Sequence, residues 1–195
     1  MSSLASPLDR PAPPRLAVLA SGSGTILEAI LASGLPVHAV LVDRPCRALE
    51  VAGAYGVPGS LVERRSFDAS FDRFAYTEQV VAELEGSGIE LVAMAGFMTV
   101  LAAPMFSAFA GRVVNTHPSL LPAFPGAHAV RDALAAGVKV TGCTVHVATE
   151  QVDHGPILAQ EAVAVLPTDT EASLHERIKD VERRLYPQAI KELLA

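Results

Sequence analysis

The chain has 195 residues and a net charge of −6; half of its residues are hydrophobic and 18% are charged. This is the composition of a globular protein with one substantial core, not of a disordered chain. The acidic balance argues against a nucleic-acid or anionic-membrane partner, and no apolar run is long enough to cross a bilayer. The two cysteines have neither metal-site nor disulfide spacing, so we expect reduced thiols in a cytoplasmic protein.

The first 14 residues contain four prolines and lack the apolar segment of a signal peptide. We predict a disordered, proline-rich tail over 1–14 and a single folded domain over 15–195. No internal repeat or linker divides that domain.

Strand and helix patterns alternate along the folded part. The predicted strands cover 15–20, 37–42, 57–62, 89–95, 112–115, 139–148 and 157–165. The predicted helices cover 25–33, 47–55, 71–85, 104–109, 129–136 and 170–194, with a kink at Pro187 in the last one. A glycine turn of residues 21–24 follows the first strand, and a loop rich in proline and glycine spans 118–126.

The early strands are apolar on both faces, which indicates a parallel sheet covered by helices on both sides. We therefore predict an α/β fold with an open, doubly wound, mostly parallel sheet and an antiparallel strand pair near the C-terminus. Such sheets bind ligands beyond the carboxyl ends of their strands. The glycine turn, Asn115 and His117 all fall at those ends.

Asn115 and His117 end a strand that Pro118 stops. Residues at i and i+2 of a strand project from the same face, so the amide and the imidazole point together. A neutral donor beside a titratable group suits chemistry in which a carbonyl oxygen gains charge while a proton moves. Alone, a histidine at a strand end is more often structural than catalytic.

The turn Ser21-Gly22-Ser23-Gly24-Thr25 is typical of a phosphate site at a helix N-terminus, or of a tight strand–helix turn that binds nothing. Leu27 stands where a dinucleotide fingerprint needs its third glycine, and the Lys-Ser/Thr pair of a P-loop is absent. A single phosphate therefore fits better than NAD or ATP.

Three further features have both a purely structural and a functional interpretation. The run 153–156, Asp-His-Gly-Pro, is typical of a hairpin turn, unless Asp153 faces His117 and orients its ring. The apolar run 97–101 indicates either core packing or a pocket for a flat heterocycle. Glu182 is by default a solvated charge, while His146 and His175 are assigned to core packing and to the surface.

Several stretches together resemble the glycinamide ribonucleotide (phosphoribosylglycinamide) formyltransferases, a folate-dependent family within the formyltransferase superfamily. They are 21–24, 95–98, 115–126, 144–146, 153–156, Glu182 and 186–187. The resemblance extends from about Leu16 to Pro187. It implies transfer of a formyl group from 10-formyltetrahydrofolate to the amine of glycinamide ribonucleotide, in purine biosynthesis, without a metal.

The resemblance also implies residue roles. Asn115, His117 and Asp153 match the catalytic trio. The positions that match the nucleotide site are Gly24, Thr25, Ile26, Lys179 and Glu182. The positions that match the folate site are Arg73, Met98, Thr99, Val100, Leu101, Asn115, Thr149, Glu150, Gln151, Val152 and Asp153. His128 falls in a flexible loop over the site, and a homodimer is expected from the family alone.

Three departures from the family pattern bear on these roles. Ile26 replaces a usual Asn, which leaves only a backbone contact to phosphate. Thr99 replaces a common Arg, and the chain ends at Ala195 where relatives often continue.

Three alternatives stay open. A 10-formyltetrahydrofolate hydrolase would use water as acceptor, but relatives of that type carry an extra N-terminal domain. A transferase acting on aminoacyl-tRNA would carry a C-terminal RNA-binding domain and a more basic surface. A non-catalytic phosphometabolite-binding module would bind ligand without turnover and would not need Asp153.

Overall fold

The structure, a computed structural model, describes residues 13–195, so the predicted tail lies almost wholly outside the described residues. The strands are β1 (Leu16–Ala20), β2 (Val37–Val42), β3 (Gly59–Leu61), β4 (Leu91–Met94), β5 (Val113–His117), β6 (Val140–Val147) and β7 (Ile157–Ala164). The helices are α1 (Thr25–Ala32), α2 (Arg47–Ala54), α3 (Arg73–Gly86), α4 (Ala103–Ala108), α5 (Ala129–Ala135) and α6 (Glu171–Leu194). Within this range no helix is both long and apolar enough to span a membrane.

The seven strands form one sheet in the order β3-β2-β1-β4-β5-β6-β7. The first five in that order run parallel, and β6 is antiparallel to both β5 and β7. The predicted fold class and the antiparallel pairing of β6 with β7 are confirmed. The sequence did not predict the antiparallel pairing of β5 with β6. This pairing fixes the position of the hairpin after β6 relative to β5.

Two strands differ from their predicted lengths. β3 keeps only three of the six predicted residues, because only Gly59–Leu61 pair with β2. β5 runs two residues further than predicted, because β6 pairs with it as far as His117, which lies opposite Thr144. Both differences arise from strand pairing, which the local pattern of one strand does not contain.

The core has one cluster on each face of the sheet. All five residues of β1 are fully buried, and they alternate between the clusters: Leu16, Val18 and Ala20 pack with α1, α2 and α6, while Ala17 and Leu19 pack with α3 and α4. Burying one large aliphatic side chain contributes about 1.5–3 kcal/mol. This two-sided burial keeps the carboxyl edge of the sheet rigid.

Helix α6 begins with a capping box in which the side chains of Thr170 and Ser173 each accept a hydrogen bond from the other residue's backbone N–H. It remains helical on both sides of Pro187. The hydroxyl of Tyr186, fully buried, donates to the carbonyl oxygens of Met94 (3.1 Å) and Val114 (2.9 Å). This contact ties α6 to β4 and β5 just below the carboxyl edge.

Candidate active site

Polar side chains from β5 and β6 meet at the carboxyl edge of the sheet. Asn115 lies opposite His146 in the strand register, and His117 lies opposite Thr144. The hairpin between β6 and β7 then returns Asp153 to the same place. Residues far apart in the sequence thus form one buried cluster.

Nδ1 of His117 lies 3.4 Å from Oδ2 of Asp153, and both side chains are nearly buried, with 6% and 4% exposure. The same carboxylate oxygen accepts a hydrogen bond from the backbone N–H of Gly126 at 2.7 Å. Asp153 has φ = 60°, a left-handed conformation that Asp adopts more readily than most residues. The turn thereby aims the carboxylate inward, at the imidazole.

The other ring nitrogen of His117 also faces an oxygen. Nε2 lies 2.8 Å from the carbonyl oxygen of Phe124 and donates to it, since a carbonyl only accepts. Each ring nitrogen therefore has an acceptor, and a ring that carries protons on both nitrogens can donate to both.

His146 belongs to the cluster, which the sequence analysis missed. Its Nδ1 donates to the carbonyl oxygen of Val147 at 3.0 Å, so that Nε2 is left as an acceptor for the Asn115 amide nitrogen at 3.4 Å. Burial is the largest cause of its lowered pKa, which keeps the ring neutral. The ring is buried as expected, yet it orients an amide as well as packing. No local sequence pattern indicates this role. It follows only from the strand register, which places His146 opposite Asn115.

An open cavity adjoins the cluster. It lies between the apolar run 97–101, here called the cavity loop, and the hairpin that carries Asp153. Its walls are Met94, Phe97, Thr99, Val100, Leu101, Phe106, Asn115, His146, Ala148, Thr149, Val152 and Asp153. An apolar cavity with polar groups at one end suits a flat heterocycle.

Not all of the predicted folate residues line this cavity. Met98 is 65% exposed, and Glu150 and Gln151 point to the surface. Arg73 is exposed at the first residue of α3, and it does not line the cavity either. These four residues lie outside the walls, where only a longer part of a ligand would reach them.

The glycine turn leads into α1. Gly24 caps this helix with φ = 71°, and within residues 13–195 no side chain caps the first N–H groups of the helix. A Cβ at Gly24 would lie 3.0 Å from the Cα of Ala48, so a larger residue would displace α2. Ile26 is 7% exposed, which leaves its backbone as the part that can meet an anion.

Glu182 is partly buried on α6, contrary to its default interpretation as a solvated charge. Burial raises the pKa of its carboxyl to about 7, against a smaller lowering effect of the Thr116 hydroxyl. Lys179, one turn earlier, pairs with Glu176 at 3.6 Å. Glu182 can therefore change charge near neutral pH.

The loop between β5 and α5 is held against the sheet. The hydroxyl of Thr144 donates to the carbonyl oxygen of Ser119 at 2.6 Å, and the Ser119 hydroxyl donates to that of Ala123 at 2.6 Å. His128, at the end of this loop, is exposed and precedes the first residue of α5. Among the described residues, no group of three or more His, Cys, Asp or Glu side chains is arranged to hold a metal ion.

The sheet is a doubly wound α/β architecture, and its candidate site places an amide, an imidazole and a carboxylate together at the carboxyl edge. The chain belongs to the formyl transferase family, whose model matches residues 14–190. It is 48% identical over 187 residues to a phosphoribosylglycinamide formyltransferase of Mycobacterium tuberculosis, a match that covers 93% of this chain and 86% of the relative. The Bacillus subtilis protein of the same name is 38% identical, with coverage of 92% and 94%.

Solved structures agree with these relatives. A crystal structure of glycinamide ribonucleotide transformylase 1 from Symbiobacterium toebii has a TM-score of 0.85 and 44% identity, with 91% of this chain and 85% of that chain covered. The corresponding protein of Geobacillus kaustophilus has a TM-score of 0.86 and 39% identity, with 94% and 100% covered. The fold and the family predicted from the sequence are confirmed.

Proposed function

We propose that this chain transfers the formyl group of 10-formyltetrahydrofolate to the amine of glycinamide ribonucleotide, a step of purine biosynthesis. The observation that carries the proposal is the buried pair of His117 and Asp153, beside Asn115, at the end of an apolar cavity. The names of the relatives support this choice of substrates.

The substrates are assigned to two neighbouring parts of the carboxyl edge. The pterin ring of the folate enters the cavity, with Thr99, Val100 and Leu101 on one wall and Thr149 and Val152 on the other. The phosphate of the nucleotide meets the N–H groups that follow Gly24, where the helix dipole favours an anion. The formyl carbon and the amine then meet over Asn115 and His117.

The reaction breaks one C–N bond and forms another. The nucleotide amine attacks the formyl carbon, and the carbonyl oxygen becomes an oxyanion that accepts hydrogen bonds from the Asn115 amide and the His117 imidazolium. Losing one such donor typically raises the barrier by about 3–4 kcal/mol. The intermediate then collapses, the bond to folate N10 breaks, and N10 receives the proton that the amine loses.

Asp153 has two tasks in this scheme. Its carboxylate fixes the orientation of the His117 ring and lies beside the positive charge that the ring carries in the transition state. The proton moves through His117 or through a water molecule held by Asp153, and acid–base catalysis of this kind contributes roughly two to four orders of magnitude. Holding both substrates together supplies much of the remaining rate.

The Phe124 carbonyl oxygen now accepts from the same His117 nitrogen that would serve the oxyanion. Substrate binding must therefore share or replace this hydrogen bond. In the proposed cycle, the loop that carries Phe124 moves when the ligand binds. The hydrogen bond from the Gly126 N–H to Asp153 links this loop to the carboxylate.

A formyl-transfer assay with both substrates tests the proposal. The expected result is a formylated nucleotide formed in step with tetrahydrofolate, and no comparable loss of the formyl group when the nucleotide is omitted. Equal deformylation without the nucleotide would instead identify a hydrolase. Ligand binding without any turnover would identify a binding module.

We also infer a cytoplasmic enzyme that acts on small molecules and needs no metal for this step. The support is chemical: the mechanism uses only amide, imidazole and carboxylate groups. Cys46 and Cys143 are both free thiols. A homodimer stays a prediction from the family, which sedimentation of the purified protein would test.

A further inference from the structure

A buried carboxylate anchors the cavity loop from behind. Asp43 directly follows β2, and its side chain is fully buried. The hydroxyl of Thr99 donates to its Oδ2 at 2.7 Å, while the guanidinium of Arg44 donates to both carboxylate oxygens at 3.0 and 3.1 Å. Thr99 thus contributes to the cavity wall while its hydroxyl points away, into this ion pair.

A second bond joins the cavity loop to the glycine turn. The hydroxyl of Ser21, the first residue of that turn, accepts a hydrogen bond from the backbone N–H of Met98 at 2.8 Å. Ser21 is 6% exposed. The loop is therefore held at two adjacent residues, 98 and 99, by groups from the ends of β1 and β2.

These contacts keep Asp43 ionised. Burial raises the pKa of its carboxyl, but the hydrogen bonds from Arg44, Thr99 and Ser21 lower it by more. Hydrogen bonds to a charged partner are worth more than neutral ones, and they fix the geometry of both groups. Thr99 is only 3% exposed, so this contact fixes the position of its side chain.

We propose that Asp43 and Ser21 are positioning residues that hold the cavity loop in its ligand-binding shape through Thr99 and Met98, and so set the affinity for the formyl donor. The inference rests on the proposed function, because it takes the cavity as the folate site.

The test replaces Thr99 by Val, which keeps the size and removes the hydroxyl. Thr99→Val is expected to raise the KM for 10-formyltetrahydrofolate about tenfold, the effect of one charge-assisted hydrogen bond. Ser21→Ala should raise it by less, because the bond that it removes joins two neutral groups. The kcat should stay within about threefold in Thr99→Val, because the Asn115, His117 and Asp153 cluster is untouched. Thr99→Ser, which keeps the hydroxyl, should restore the KM.

Thr141→Val is the matched control. Its hydroxyl is buried too, but it has no hydrogen-bond partner among the described residues, so its loss should leave both KM values unchanged. A normal KM in Thr99→Val, or an equal loss of kcat and of affinity for both substrates, overturns the inference. Titration with tetrahydrofolate needs no turnover: if the wild type binds it and Thr99→Val binds it equally well, the anchoring idea fails whether or not transfer occurs.

Discussion

The amide nitrogen of Asn115 lies 3.4 Å from Nε2 of His146, its partner in the neighbouring strand. Because Nδ1 of His146 donates to the Val147 carbonyl oxygen, the neutral ring leaves Nε2 to accept from Asn115, and Oδ1 of Asp153 lies further off, 3.7 Å from the same nitrogen. One N–H of the amide is thus fixed by His146, which sets the direction of the other.

His146→Phe removes this acceptor and keeps a ring in the same space. We expect kcat to fall about tenfold, less than the loss of the oxyanion donor itself, with little change in either KM. His38→Phe is the control, since His38 is half-buried and its buried Nδ1 has no hydrogen-bond partner within residues 13–195. A change confined to KM would show that His146 acts on substrate binding instead.

Asn115→Ala should lower kcat by about two to three orders of magnitude, because one of the two oxyanion donors is lost. Combined with His146→Phe, it makes a double-mutant cycle. If His146 acts through Asn115, the His146 substitution should have almost no effect in the Asn115→Ala background. Additive effects on kcat would contradict the orienting role.

Asp153→Asn should keep the fold and the binding of both substrates but lose most turnover. The amide preserves the shape and the positive φ of this residue, which Asn also adopts readily, while the negative charge beside His117 disappears. Steady-state kinetics and tetrahydrofolate titration separate the two effects. Near-normal kcat would refute the pairing of His117 with Asp153.

The sequence predicted which chemical groups form the site better than it predicted how they are held. The i, i+2 spacing of Asn115 and His117 placed both on one face of a strand, and the alternation of strands and helices placed that strand end at a ligand-binding edge. His146 was missed because its partner depends on the register between β5 and β6. Local periodicity does not encode that register.

Asp43 was missed for a related reason. Nothing local distinguishes it from a surface aspartate beside an arginine, and only the order of β2, β1 and β4 in the sheet brings Thr99 and Ser21 next to it. The residues alone left Glu182 as a solvated charge, and only the family resemblance assigned it to the nucleotide site, because helical periodicity does not show that Thr116 faces it. Long-range packing sets burial at these positions.

Gly155→Ala should destabilise the hairpin that carries Asp153. A Cβ at this position would lie 1.7 Å from the Val147 carbonyl oxygen, a backbone atom that cannot move aside without breaking the strand pairing. The free energy of unfolding should fall by about 3 kcal/mol, as for other overpacked sites. Urea denaturation of the variant measures this loss.

Gly53→Ala provides a control of the opposite sign. Gly53 lies inside α2, and nothing lies within 4 Å of an added Cβ, so the substitution should stabilise the chain by about 0.5–1 kcal/mol. A stable Gly155→Ala variant with normal kcat would show that the hairpin adapts and that its tight packing does not position Asp153.

The raised pKa of the Glu182 carboxyl predicts that the stability of the fold depends on pH. Its pKa is about 7 in the folded chain and 4.5 as the unperturbed value, so between these pH values the folded chain keeps a proton that the unfolded chain has released. Stability therefore falls as the pH rises through this window. Glu182→Gln removes the effect, so the variant should match the wild type at pH 4.5 and exceed it above pH 7. The gain should be about 1–3 kcal/mol, since part of the side chain reaches solvent.

Urea unfolding without ligand, at several pH values from 4.5 to 8, measures the difference between Glu182→Gln and wild type. Glu85→Gln is the control, because Glu85 is exposed on α3 and has no part in the site. Its curve should run parallel to that of the wild type at every pH. A constant difference for Glu182→Gln across the same range would show that the Glu182 carboxyl has the same pKa in the folded and the unfolded chain. In that case burial would not raise the pKa of this carboxyl.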